Sequence, residues 1–357
     1  MRIFFYKIIN AFLALYGVAS LVFILFTVLP GDPAQMMLGQ NEDQELIEVI
    51  NKKFGFNLPL YKQYLFYLND LSPISYHSKD PKKFAHYDKY IYGGVKIFDN
   101  ENHILLLKFP YLRNSYQKMG KPISEILKET FPNTAVLAFF SIMIAVSLGV
   151  FFGIIACLFK DHWIDRFILF FSTIGMSVPS FLGAILFSWF FGYVLNSYTQ
   201  LNMTGSFYEL DDFGDSYHIV WKNLILPSFV LGIRPLAVII QLIRNSLIET
   251  LSQDYIRTAF SKGLSKYQVI FKHALKNSLN PVITALTGWF ASLLAGSIFV
   301  EYIFGWNGLG KEIVDALNKF DTPVVMGSVI TIAFLFIIIN IVVDLIYVYL
   351  DPRIKTT

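Results

Sequence analysis

Six times between residues 8 and 350 the chain runs through an apolar stretch long enough to cross a lipid bilayer. The stretches are 8–29, 133–159, 167–195, 224–247, 281–303 and 325–350. A helix of roughly 20 apolar residues covers the hydrocarbon, since each residue adds only about 1.5 Å. No water reaches the backbone there, so such runs must satisfy their own hydrogen bonds as helices. Composition agrees: 55% of residues are hydrophobic and 15% charged, with mean hydropathy +0.51. A soluble domain carries about 25% charged residues. The 35 Phe and 20 Tyr suit lipid-facing and interfacial positions. The expectation is an all-α integral membrane protein with six transmembrane helices.

The first stretch follows Arg2 and Lys7, as the start of a cleaved signal would. It is too long for a signal's apolar segment, and no small-x-small site precedes Pro30-Gly31-Asp32-Pro33. It is therefore read as the first span. The third stretch is interrupted by Ser177-Val178-Pro179-Ser180-Phe181. Proline removes a backbone donor and bends the helix, which is tolerated where protein or a water-filled path covers the break. The fourth stretch holds Arg234 about ten residues in. A centred arginine costs roughly 2.5–3.5 kcal/mol on the insertion scale. It either snorkels to the nearer interface or faces protein or water. Ser177, Pro179, Ser180 and Arg234 are thus candidate lining residues of a translocation path.

Several functions are disfavoured by the residues present. The net charge of +3 gives no nucleic-acid signal. One cysteine, Cys157, excludes an internal disulfide and reads as a small packing residue. The six histidines never pair at metal-ligand spacing, and His273 reads as a packed loop residue. No G-x-x-x-x-G-K-[ST], nucleophile elbow or H-E-x-x-H occurs. No catalytic, metal or cofactor residue is expected on this chain. ATP-driven work would need an ATPase on another polypeptide.

Residues 31–132 are polar. Residues 41–54 read as a helix with Leu46, Ile47, Ile50 and Phe54 on one face. Pro59 opens another, with Tyr61, Tyr64, Leu65 and Leu68 expected inward. Residues 90–98 and 104–109 are rich in β-formers and flank Asp99-Asn100-Glu101-Asn102, which predicts a β-hairpin.

The stretch 249–281 is a basic, polar island between two spans. Leu251, Tyr255, Ile256, Ala259 and Phe260 recur at helical spacing, forming one apolar stripe. Gly263 can take the left-handed conformation that ends a helix. Ser265 and Gln268 have the spacing of a capping box that opens a second helix. The expectation is helix, Gly turn, helix, in water beside the membrane.

At this stretch the sequence resembles a known family. Ala259 and Gly263 fit the Glu-Ala-Ala loop of binding-protein-dependent ABC importers. DYIRTAFSKGLS followed by HALKNSLNPV closely resembles the peptide and nickel branch of those permeases. Arg257 and Thr258 stand where the general consensus has Glu and Ala, and His273 and Lys276 where it has Ile and Pro; these departures are usual in that branch. The resemblance extends to LPGDP near residue 30, FGFNLPLYKQYLFYL, KPISEILKETFPNT, the Ser-x-Pro-x-Phe break, Asp321-Thr322-Pro323-Val324-Val325 and the terminus NIVVDLIYVYLDPRIK. In FGWNGLG, Asn307 stands where the family has Pro. Residues 73–109 have no family counterpart and read as an insertion.

The resemblance implies a type I ABC importer permease fold of six transmembrane helices, and to it this chain adds the expected α+β insertion, extracytoplasmic, between helices 1 and 2. It divides the chain into a first helix (1–30), an extracytoplasmic region (31–132, insertion near 73–109) and a five-helix core (133–357). It assigns ATPase coupling to Leu251, Tyr255, Ile256, Arg257, Thr258, Ala259, Phe260, Gly263 and Leu264. A bulky residue at Ala259 is then expected to clash with the ATPase groove. Implied partners are a second homologous permease, two ATP-binding cassette subunits carrying ATP and magnesium, an extracytoplasmic substrate-binding protein, and lipid. Peptides lead as substrate, with nickel or another small solute second. A membrane receptor or scaffold using the insertion is the rival class.

Charge sets the orientation. Arg2, Lys7, Lys160, Arg166, the five cations of the 249–281 loop from Arg257 to Lys276, and Arg353 and Lys355 share one side. The short loops opposite hold Lys222, Lys311 and Lys319. Positive-inside places both termini in the cytoplasm, and the resemblance implies the inner membrane of a prokaryote. The long loop's 13 Lys and Arg are nearly cancelled by 12 Asp and Glu, and loops above about 60 residues translocate regardless of charge.

Overall fold

A computed structural model describes residues 2–28, 33–38, 43–81, 83–118, 120–211 and 213–350. Its main elements, in chain order, begin with α1 (Arg2–Val28), α2 (Gln44–Phe54) and α3 (Leu60–Leu71). Strands β1 (Ile74–Ser78), β2 (Val95–Asp99) and β3 (His103–Leu107) follow. Next are α4 (Ile123–Leu158), α5 (Trp163–Ser177) and α6 (Ser180–Phe187), which runs on as a π-helical turn, Ser188–Val194. A small hairpin, β4 (Tyr208–Leu210) and β5 (Tyr217–Ile219), leads into α7 (Trp221–Leu251) and α8 (Asp254–Ser261). The chain ends with α9 (Asn280–Gly296), α10 (Ile298–Phe304), α11 (Leu309–Asn318) and α12 (Thr322–Leu350). The segments Leu29–Asp32 of LPGDP and Asp351-Pro352-Arg353 lie outside the described residues.

Among the described residues, four helices are long and apolar enough to cross a membrane: Ile9–Thr27, Ile123–Leu158, Trp221–Leu251 and Thr322–Val343. Two bent pairs bring the number up to six. The pair α5 and α6 turns by 108° at Val178-Pro179, and α9 and α10 by 57°. The third stretch is therefore two helices at a steep angle rather than one continuous helix. The second begins earlier than expected: α4 is continuous from Ile123 through Pro132 to Leu158, so its polar first turns belong to the same helix.

The chain divides into two units, residues 1–129 with 313–334 and residues 130–312 with 335–357. In the first, Asp43 caps α2 by accepting from the Glu45 N–H at 3.0 Å, and α2 buries no side chain. Helix α3 buries Tyr67 and Asp70, while Tyr61 and Leu65 are exposed. The expected inward face was set by apolar residues alone. The true face is fixed by Tyr67 stacking on Phe23 and by Asp70 receiving Arg113 Nε at 2.9 Å.

The predicted hairpin forms within a three-stranded antiparallel sheet of order β1-β3-β2. Its first strand starts at Val95 rather than at residue 90, because Asp88 caps a helical turn, Lys89–Tyr92. Strand β1 was not expected. The Asn69 amide serves its free edge, donating to Tyr76 O at 3.0 Å and accepting from Tyr76 N at 2.8 Å. A side chain thus blocks an edge that could otherwise pair with another chain. Ile104 and Leu106 of β3 point inward, as do His77 and Lys108. Burial lowers the His77 pKa to about 4 and that of the Lys108 amine to about 8. Lys108 Nζ donates to Asp70 O. Asp321 is also buried and accepts from Ser115 Oγ, from Tyr116 N at 3.0 Å and from Gln117 N at 3.2 Å.

The second unit is built around α7, which buries fifteen of its residues. One apolar core gathers Leu137, Leu224, Leu231, Phe304 and Trp306; another gathers Ile239, Ile243, Leu247, Ile256 and Val269.

Candidate functional site

Helix α8 follows α7 across Ser252 and Gln253. Ile256 and Ala259 are buried against Ile243, Leu247, Val269 and Ala274, with Leu251 and Leu264 packed on the rim. The stripe read from sequence is thus divided. The chain's own core takes Ile256 and Ala259, while Tyr255 and Phe260 each remain 44% exposed. Arg257 and Thr258 are also exposed. A bulky side chain at Ala259 would strike this chain's own core.

Gly263 has φ +80°, and its N–H donates to Phe260 O at 2.9 Å. A Cβ there would meet nothing within 4 Å, so only backbone strain opposes one. Ser265 accepts from Gln268 N at 3.4 Å while Gln268 Oε1 accepts from Ser265 N at 3.0 Å, completing the capping box. The second helix continues through a π-helical turn, Val269–Ala274, and Leu275–Ser278. Asn277 Nδ2 reaches back to Tyr255 Oη at 2.8 Å, tying the two helices together.

The break between α5 and α6 opens a cavity of about 370 Å³ beside α7 and α9. Pro179, Ser180 and Arg234 line it, with Phe171, Ile233, Trp289 and Ser292. Ser177 lies outside this lining, its hydroxyl donating to Thr173 O at 2.9 Å. Three of the four candidate path residues therefore share one cavity. Arg234 is exposed, and among the described residues its guanidinium makes no hydrogen bond or ion pair.

Besides Asp70 and Asp321, two further buried carboxylates escaped the sequence reading. Asp165 receives Arg244 through two hydrogen bonds of 2.6 Å, joining the start of α5 to α7. Glu301 is fully buried at the foot of the FGWNGLG turn. It accepts from Ser297 Oγ at 2.8 Å and from the α11 N–H groups of Gly310 at 2.7 Å and Lys311 at 3.3 Å. A carboxylate is favoured at such a helix N-terminus. Gly310 leaves no room for a Cβ, which would lie 2.5 Å from Ile298 Cα. Trp306 Nε1 donates to Asn133 O at 3.0 Å, and Leu309 N to Thr134 Oγ1 at 2.8 Å. Asn307 N donates to Ser206 Oγ at 3.1 Å, a bond that the family's proline could not make. The only sequence signal for Glu301 was an acid within an otherwise apolar run.

These features define a helical membrane protein whose amphipathic helix is half sunk in its own core and half bare. The family described as "Binding-protein-dependent transport system inner membrane component" matches residues 145–356. A second, "Binding-prot-dependent transport system membrane comp, N-term", matches residues 1–76. The chain belongs to this family: it is an inner-membrane permease subunit of an ABC importer. It is 32% identical to the dipeptide transport system permease protein of Alkalihalophilus pseudofirmus, over 96% of this chain and 95% of that protein. It is 30% identical to the probable D,D-dipeptide transport system permease protein of Escherichia coli K12, over 96% and 94%. It is 31% identical to the E. coli K12 glutathione transport system permease protein, over 96% and 94%.

Proposed function

We propose that this chain forms half of the translocation path of an ATP-driven importer of di- or oligopeptides. The names of its relatives support that substrate class; nickel or another small solute is the alternative. It would work with a second permease, two ATPase subunits that bind ATP and magnesium, and an extracytoplasmic binding protein. In this reading both bent pairs count as spans, giving six, with both termini in the cytoplasm and the β1–β3 sheet outside.

The observation that carries the reading is the division of α8. Ile256 and Ala259 lock the helix to the spans, so that a push on it moves them. Tyr255, Arg257, Thr258 and Phe260 are left bare, and a helix this short is marginal without a covering surface. A groove on an ATPase would supply one. Closure of the ATPase pair would then move α8 and, through the core it shares with Ile243 and Leu247, shift α7. The cavity of Pro179, Ser180 and Arg234 lies along α7 and is the candidate path. The chain itself performs no bond chemistry.

The test is reconstitution of the complete complex in proteoliposomes. ATP-dependent uptake of a labelled dipeptide supports the reading. Uptake of nickel ions without peptide would move it to the alternative. Failure to associate with any ATPase subunit would end it.

A further inference from the structure

The cavity beside the α5–α6 break holds one cation and no acidic side chain among its described lining residues. Arg234 lies near the middle of α7, at 1.5 Å per residue roughly 20 Å from one helix end and 25 Å from the other. Its guanidinium offers five N–H donors in a fixed fork and no acceptor. A mid-span charge without a counter-ion is costly against lipid, and the surrounding apolar walls strengthen its field. Clefts lined by one sign of charge concentrate ions of the other. The guanidinium fork also matches a carboxylate, with two parallel N–H donors for its two oxygens. The volume, about 370 Å³, suits a small solute. Ser180 and Ser292 add hydroxyls, and Trp289 a flat apolar wall.

We propose that Arg234 is a selectivity residue that receives the carboxylate of a solute passing through this cavity, favouring carboxylate-bearing over cationic solutes. The inference rests on reading the cavity as part of the path. Ser180, Ser292 and Trp289 would hold the rest of the solute without regard to its charge. The guanidinium would make the binding transient but sign-selective.

The test uses the assembled complex in lipid nanodiscs, with Cys157→Ser and Ser292→Cys giving one thiol in the cavity. Labelling rates are measured with an anionic sulfonatoethyl and a cationic trimethylammonioethyl methanethiosulfonate, each normalised to its rate with a free thiol. With Arg234 present the anionic reagent is favoured. Arg234→Gln lowers the anionic-to-cationic ratio by about tenfold, and Arg234→Lys restores most of it. A free-acid dipeptide slows labelling more than its C-terminal amide does, and Arg234→Gln abolishes that difference. The ratio is read only from labelled protein, so reduced yield of a variant leaves it intact. A ratio unchanged by Arg234→Gln, or equal protection by acid and amide, overturns the selectivity role while leaving the path reading standing. No labelling by either reagent means the cavity is closed to water, and the path reading fails with the inference.

Discussion

Arg244 and Asp165, 79 residues apart in sequence, are joined side by side by two hydrogen bonds of 2.6 Å. Asp165 is buried and Arg244 nearly so. Asp165 also accepts from Asp161 N at 3.0 Å, which fixes the short link before α5. The pair therefore sets where the broken helix begins relative to the central helix α7.

Removing one partner of such a pair leaves a poorly solvated charge, which costs roughly 3–5 kcal/mol in fully buried cases. Asp165→Asn should lower the stability of the detergent-solubilised protein by about 3 kcal/mol, less than the upper figure because Arg244 retains some solvent contact. Asp165→Asn with Arg244→Met should recover part of that loss. Thermal unfolding followed by size-exclusion chromatography gives the comparison. Equal losses in the single and double variants would show that the two residues are not coupled.

A second prediction concerns pH. His77 titrates at about 4 when folded, against about 6.5 free, because burial disfavours its charged form. Between those values the unfolded state binds more protons. The contribution of His77 to stability is thus complete above pH 6.5 and falls away as pH drops toward 4. Hydrogen exchange at β3 should show protection falling between about pH 7 and about pH 4.5. His77→Phe keeps the ring contact with Tyr92 but cannot titrate, so its fall should be smaller. The same fall in both proteins would assign the effect to other groups.

What was legible in the sequence follows from how each signal is written. Long apolar runs encode spans directly, and the capping box at Ser265 and Gln268 is a local pattern realised in place. The break at Pro179 was visible, but its 108° angle was not, because proline removes a hydrogen bond without fixing a direction. Tyr61 and Leu65 were expected inward because apolarity alone was counted, whereas Asp70 anchors the true face through Arg113. Strand β1 was missed because the alternation of Ile74–Ser78 is short and includes buried Ser75 and His77. Asp165 and Asp321 act through partners distant in sequence, and no local window shows that; Glu301 acts through a turn that brings Gly310 and Lys311 back to it, which spacing alone does not show. The stripe at α8 was read correctly as apolar, yet spacing could not show that half of it is used internally.

Topology can be tested at two exposed sites. The charge asymmetry of the short loops predicts that the β2–β3 turn and the α8 loop lie on opposite sides of the membrane. In a Cys157→Ser background, cysteines at Asn102 and at Tyr267, each exposed, should be labelled by an impermeant maleimide from the outside and from the inside respectively. Tyr267 is preferable to Ser265, whose hydroxyl caps the following helix. Labelling of both from outside in intact cells would rule out the six-span arrangement.

The central claim is that the bare face of α8 transmits ATPase closure to the spans. Phe260→Asp changes that face without entering the buried side held by Ile256 and Ala259. The decisive measurement is ATP hydrolysis stimulated by substrate-loaded binding protein, in the complete reconstituted complex. The account predicts that Phe260→Asp reaches the membrane at the parent's level yet loses at least about tenfold of the stimulated rate, equivalent to about 1.4 kcal/mol. Stimulated hydrolysis at the parent's rate, with the substituted chain in the complex, would contradict it.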